Sequence, residues 1–211
     1  DWESDPAPQI RLHRAAGSEE ALAGLLDDHF DAAGAFRRRL PEDFLRLADA
    51  LAGRSDIDLG EDALGYARRL ATSAAQRLRA REIGDRIRAS GGRLPGVSAR
   101  LYPYQVEGVA FLVANGRALL ADDMGLGKTL QAIAAALWLK RRAGLKRVLV
   151  VCPASLKYQW QAEIHRFCGE RCIVIEGDRA ERMALYTAAA SRGTLLGAGE
   201  RPLFYVVNYE L

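Results

Sequence analysis

Apolar residues recur at helical spacing through the first ninety positions. Leu22, Leu25, Leu26 and Phe30 share one face, as do Phe44, Leu47, Ala48 and Leu51 behind a Pro41 suited to a first helical turn. From about Glu61 a longer stripe of Ala63, Tyr66, Ala67, Leu70, Ala71, Ala74, Ala75 and Leu78 predicts a helix whose small residues permit close packing. Arg68, Arg69, Arg77, Arg79 and Arg81 lie largely off that stripe and read as a solvated face. At residues 90–96, SGGRLPG, three Gly and one Pro end the pattern. The expected organisation is a helical accessory domain over 1–92 and a second domain over 97–211.

Beyond the break, short apolar runs alternate with amphipathic segments. Val106, Val109, Ala110 and Val113 form a helix stripe ending at Asn115-Gly116, and RALLA (117–121) predicts a short buried strand. A helix with Leu130, Ile133, Ala134 and Leu137 inward comes next. RVLVVC, CIVI and LFYVVNY predict three more strands, the first two separated by a helix carrying Leu156, Trp160, Ile164 and Phe167. This grammar predicts an α/β class, a parallel sheet covered by helices on both faces and preceded by an all-α region. Residues 191–202, SRGTLLGAGERP, read as a surface loop, and no internal repeat is present.

Between the first expected strand and its helix lies ADDMGLGKTL (121–130). A phosphate-cradling loop asks for Gly, four free positions, then Gly-Lys and Ser or Thr; counting back from Lys128 places Asp122 where the first Gly belongs. The setting still suits an anion, because Gly125 and Gly127 let backbone N–H groups turn inward and the following helix aims its positive end there. Lys128 would reach the β- and γ-phosphates, and the Thr129 hydroxyl would complete the shell of a Mg²⁺ ion. Asp tolerates unusual backbone angles, so the departure at Asp122 does not forbid the loop. Upstream, Gln105 in LYPYQVEGVAFL carries a carboxamide able to accept from N6 and donate to N7 of adenine. Downstream, in CPASLKYQW, Ser155 is a good N-cap, and the free N–H groups of its turn with Lys157 form a second anion site.

LYPYQVEGVAFL, LLADDMGLGKTLQAIA, VLVVCPASLKYQW and VVNYEL, in this order and spacing, resemble the opening motifs of the Swi/Snf-type ATPases of helicase superfamily two. In that family Asp-Asp-Met-Gly-Leu-Gly-Lys-Thr, or the same with Glu second, is the usual nucleotide loop, so Asp122 matches the family's own form. The resemblance covers about residues 97–211. It implies the first part of a RecA-like lobe that binds ATP and Mg²⁺ through Tyr104, Gln105, Asp123, Met124, Gly125, Leu126, Gly127, Lys128, Thr129 and Leu130. Lys128 and Thr129 are the implied catalytic pair. It also implies a motor that moves along double-stranded DNA without separating the strands, gripping the backbone with Pro153, Ala154, Ser155, Lys157, Asn208 and Tyr209. One position departs: Tyr102 stands where Arg often sits.

Composition adds limits. The 211 residues are 49% hydrophobic, and no apolar run is long enough to span a membrane, so a soluble protein of the cytoplasm is expected. Three cysteines fit a reducing compartment; His165, Cys168 and Cys172 lack a fourth zinc ligand at a usual spacing and read as thiols near a helix end. Residues 1–90 carry a net charge of −3 and residues 91–211 one of +6, which makes the second half the candidate for a polyanion. The most basic run, KRRAGLKR (140–147), spans a helix end on the opposite edge from the loops and reads as capping.

The chain opens at Asp1 without Met and stops at Leu211 directly after an expected strand, which reads as an excerpt of a longer protein. No Asp-Glu pair follows any strand, and the resemblance places that pair, with an arginine from a second lobe, beyond this sequence. Negligible hydrolysis by this stretch alone is therefore expected. Two other readings stay open at this point: another nucleotide-loop protein such as a kinase or GTPase, and a non-enzymatic module whose helical region meets a protein partner.

Overall fold

A computed structural model describes residues 8–13, 24, 26–55, 57–190 and 202–210. Leu22 and Leu25 of the first expected helix and residues 191–201 of the expected loop lie outside the described residues. The chain divides into two compact units, 1–75 and 76–211. The dividing point falls inside one continuous helix.

In the first unit, α1 (Glu42–Leu51) starts directly after Pro41 and buries Phe44, Leu47, Ala48 and Leu51, the stripe expected from spacing. Phe44, Leu47 and Leu51 join Ile10, Phe30 and Ala67 in one apolar cluster. The Phe36 ring meets Phe30 and Phe44 edge-on at 5.4 Å each, an arrangement favoured by the ring quadrupoles. The long helix α2 (Glu61–Ala89) follows its predicted stripe over Ala63, Tyr66 and Ala67, but Leu78 is exposed. Beyond Leu78 a different pair, Ile83 and Ile87, is buried in the second unit.

The second unit is built from α3 (Pro103–Ala114), α4 (Lys128–Ala143), β1 (Val148–Cys152), α5 (Lys157–Cys168), β2 (Cys172–Val174), α6 (Arg179–Ala190) and β3 (Phe204–Asn208). The strands form a parallel sheet in the order β1-β3-β2, with Val148 opposite Phe204 and Cys152 opposite Asn208. Period-two alternation on β3 explains how helices cover both faces. Phe204 and Val206 pack with Ile133 and Leu137 of α4 and Ile164 of α5, whereas Tyr205 and Val207 pack with Leu185 and Tyr186 of α6. Fully buried side chains such as Phe204, Ile133 and Ile164 each contribute about 1.5–3 kcal/mol relative to exposure. A further layer joins α3 to α4 through Val106, Val109, Ala110, Val113, Leu130 and Ala134.

Two expectations are corrected. The sheet has three described strands, because residues 117–121, RALLA, form none: no described strand runs alongside them to complete a ladder, and Leu119 is 83% exposed. On β1, Leu149 and Val151 are exposed, so that strand is covered on one face only. Helix α6 was not read from periodicity. Its signal was a reciprocal capping box, in which the Glu181 N–H donates to the Asp178 carboxylate at 2.9 Å and the Asp178 N–H to that of Glu181 at 2.8 Å. At the other end of α4, Gly144 takes a left-handed conformation with Lys140, Arg141 and Arg142 in the last turn, as expected for residues 140–147. Lys140 pairs with Glu170 at 2.6 Å, and Arg142 lies over the Trp138 ring.

Candidate functional site

The glycine loop runs into the N-terminus of α4. Gly125 and Gly127 have φ of 84° and 76°, left-handed values that L side chains rarely adopt, and Gly127 is the N-cap residue of α4. A Cβ on Gly127 would lie 2.7 Å from Nε2 of Gln105, so a side chain there would have to displace the Gln105 carboxamide. Lys128 Nζ donates to the carbonyls of Asp122 at 2.7 Å and Asp123 at 2.8 Å, folding back over its own loop without an acidic partner among the described residues. Thr129 is half-buried, Leu130 is buried and Met124 is 96% exposed.

Gln105 reaches the loop from α3. Its Oε1 accepts from the Tyr102 N–H at 3.1 Å, and its Nε2 donates to the Leu126 carbonyl at 3.2 Å. The carboxamide that sequence assigned to adenine is therefore buried and spans two elements here, keeping one lone pair and one N–H unused. At the start of α3 the exposed rings of Tyr102 and Tyr104 stack with centroids 5.9 Å apart and planes 7° from parallel. They present an aromatic surface at the position where the resemblance departs.

Sequence reading missed Gln131, which is fully buried on α4. Its Nε2 donates to the Asp122 carboxylate at 3.0 Å and to the Leu126 carbonyl at 3.3 Å. The available signal was a polar residue on the inward side of a helix lined by Leu130, Ile133 and Ala134.

The second group of predicted residues meets across β1 and β3. Asn208 ends β3 opposite Cys152, so Pro153, Ala154 and Asn208 are neighbours despite their distance in sequence. Ser155 does not cap a helix: residues Ala154–Leu156 form a 3₁₀ turn, and the residue before α5 is Leu156, with no side-chain cap. The turn places the Ser155 hydroxyl one residue too early for α5 and leaves it exposed. The donors expected to meet phosphate meet carboxylates of the chain in this structure. The Ala154 N–H donates to Glu210 at 3.1 Å and Asn208 Nδ2 to the same oxygen at 3.3 Å. Lys157 lies 3.7 Å from the Glu176 carboxylate, which also accepts from the Tyr158 hydroxyl at 2.6 Å and raises its pKa. Tyr209 is exposed.

Cys168 Sγ donates to the Ile164 carbonyl at 3.1 Å. Burial, with a smaller contribution from Cys168, pushes the Cys172 thiol up to about 11. Among the described residues no cluster of His, Cys, Asp or Glu is arranged to hold a metal, and no helix is long and apolar enough to cross a membrane.

Residues 104–195, containing the loop, Gln105 and the turn after β1, match the SNF2-related domain. Over this part of its length, the chain is homologous to the Swi/Snf-family ATPase core. Similar proteins include the SWI/SNF-related matrix-associated actin-dependent regulator of chromatin subfamily A-like protein 1 homolog of Caenorhabditis elegans. It is 49% identical over 74 residues, 35% of this chain and 10% of that protein. The DNA annealing helicase and endonuclease ZRANB3 of Homo sapiens is 45% identical over 73 residues, 34% of this chain and 6% of that one. The chain thus spans a tenth or less of these relatives. The Sulfolobus solfataricus SWI2/SNF2 ATPase core in complex with dsDNA aligns at 32% identity and a TM-score of 0.42, covering 55% of this chain and 22% of that one. The Swi/Snf homology covers the elements that carry the glycine loop and the turn after β1.

Proposed function

We propose that residues 97–211 are the ATP-binding portion of a DNA-dependent ATPase that couples hydrolysis to movement along double-stranded DNA, with residues 1–92 as an accessory domain open to a protein partner. The observation that carries this reading is the loop itself: two left-handed glycines at the N-terminus of α4, with a lysine that donates to two loop carbonyls and has no acidic partner among the described residues. Such a loop binds phosphate by oriented N–H groups and the helix end, and Lys128 would exchange its two carbonyl contacts for phosphate oxygens. The residues fit Mg²⁺ through the Thr129 hydroxyl, since the Asp122 carboxylate is held by Gln131. A bound Mg²⁺ would supply charge neutralisation to the phosphates held there.

The similarity to a DNA annealing helicase and endonuclease supports a DNA partner. Phosphate contacts at Pro153, Ala154, Ser155, Lys157, Asn208 and Tyr209 would be independent of base sequence and would weaken as salt rises. The free thiols Cys152, Cys168 and Cys172 support a reducing, cytoplasmic setting.

Calorimetric titration with Mg·ATP and Mg·GTP tests the nucleotide reading. The chain is expected to bind Mg·ATP, to prefer it over Mg·GTP through Gln105 and the Tyr102–Tyr104 surface, and to lose binding in Lys128→Ala. Equal displacement by GTP would remove the base-reading role of Gln105. Unchanged binding by Lys128→Ala would remove the site.

A further inference from the structure

The Gln131 carboxamide is oriented without ambiguity. Its nitrogen faces two acceptors, the Asp122 carboxylate and the Leu126 carbonyl, so the oxygen must point the other way. There Oε1 is buried without a hydrogen-bond partner, close against Gly108 of α3, where any Cβ would collide with it. Gln131 therefore keeps one unmet acceptor and holds two donors in place. Gly108 is the recess that makes this possible.

Leu126 receives a second carboxamide. Gln105 Nε2 donates to the same carbonyl at 3.2 Å, so two glutamines from two helices hold that oxygen inward. In a planar trans peptide the C=O and the following N–H point in opposite directions. Holding the Leu126 carbonyl toward the two carboxamides turns the Gly127 N–H away from them, at the N-cap of α4. A flip of this one peptide would present a carbonyl oxygen to phosphate instead of a donor.

We propose that Asp122 and Gln131 form a latch behind the nucleotide loop: Gln131 is a positioning residue that sets the Leu126–Gly127 peptide, and Asp122 holds Gln131. This gives Asp122 a task that the glycine of the general pattern cannot perform. The inference rests on the nucleotide reading of the site.

The test uses the whole 211-residue chain, Mg·ATP titrations from pH 6 to 8, circular dichroism to verify folding, and the amide spectrum without nucleotide. Gln131→Met keeps length but removes both donors; it is expected to weaken Mg·ATP at least tenfold and to shift the Gly127 amide resonance. Gln131→Glu sets two carboxylates against each other, so its affinity should rise toward wild type as pH falls and a shared proton restores the bond. Adding Asp122→Asn to Gln131→Glu rebuilds the bond between the two side chains but leaves a carboxylate, which cannot donate, facing the Leu126 carbonyl, so affinity should stay weak at pH 8. If Gln131→Met binds like wild type while Lys128→Ala does not bind, the latch is wrong and the nucleotide site stands. A folded swap variant that binds like wild type at pH 8 also overturns the latch, because the Leu126 carbonyl would then not need the donor at position 131. If Lys128→Ala binds like wild type, the site reading fails and the latch falls with it.

Discussion

The backbone N–H of Ala154 donates to the Glu210 carboxylate at 3.1 Å, joining the turn after β1 to the residue two positions beyond β3. An acidic side chain of the chain thus sits where the start of a 3₁₀ turn offers a donor to an anion. Glu176 plays the same part for Lys157 at 3.7 Å.

Removing these internal acids should expose the edge to DNA. The double change Glu176→Gln with Glu210→Gln is expected to tighten binding of a random-sequence duplex by roughly 1 kcal/mol, about fivefold, the scale of one hydrogen bond released for use elsewhere. Fluorescence anisotropy at 50 and 200 mM salt measures this. Unchanged affinity at both salts would take Ala154, Lys157 and Asn208 out of the DNA-facing set.

The two loop glycines should tolerate alanine differently. Gly125 has φ of 84° but open space around its Cβ position, so Gly125→Ala should cost about 1 kcal/mol of backbone strain. Gly127 combines φ of 76° with a 2.7 Å approach to Gln105 Nε2, and Gly127→Ala should cost about 2–3 kcal/mol and weaken Mg·ATP. Urea unfolding of both variants gives the comparison. Equal losses would contradict the packing of Gln105 against the loop.

Stability should fall at high pH partly through Cys172. Its thiol is raised from 9.0 to about 11, chiefly by burial, so the folded chain holds this proton more tightly than the unfolded chain. The contribution is complete below pH 9 and is lost as pH rises from about 9 to about 11. The urea midpoint difference between wild type and Cys172→Ala, followed across that window, isolates this group from other titrations. A constant difference would show that the thiol titrates normally.

Steady ATP turnover by the 211-residue chain should be negligible, because no Asp-Glu pair follows β1, β2 or β3 to hold Mg²⁺ and place water. A phosphate-release assay with and without duplex DNA tests it. Turnover that Lys128→Ala abolishes would show that other residues supply those groups.

Local patterns carried most of the fold. The stripes through Phe44 to Leu51, Val106 to Val113 and Leu130 to Leu137 became buried helix faces because helical period depends only on the residues of the segment. The apolar run at 117–121 was a good strand by composition, yet a strand exists only through a neighbour, and composition says nothing about who that neighbour is. Ser155 failed as a cap for a related reason: the chain makes a 3₁₀ turn first, shifting the helix start to Lys157.

By itself, the sequence determined the loop proposed to hold phosphate, since Gly125, Gly127, Lys128 and Thr129 would act through backbone freedom and charge within one short loop. Tertiary structure decided what shapes that loop and what fills the neighbouring edge. Gln105 and Gln131 meet at the Leu126 carbonyl only because α3 and α4 pack together around Val106, Val109 and Leu130. Ala154 and Asn208 meet only because β3 is laid beside β1. The physical reason is one of range: a turn or a helix face is settled by bonds a few residues apart, while a buried amide needs partners that only the assembled core can bring to it.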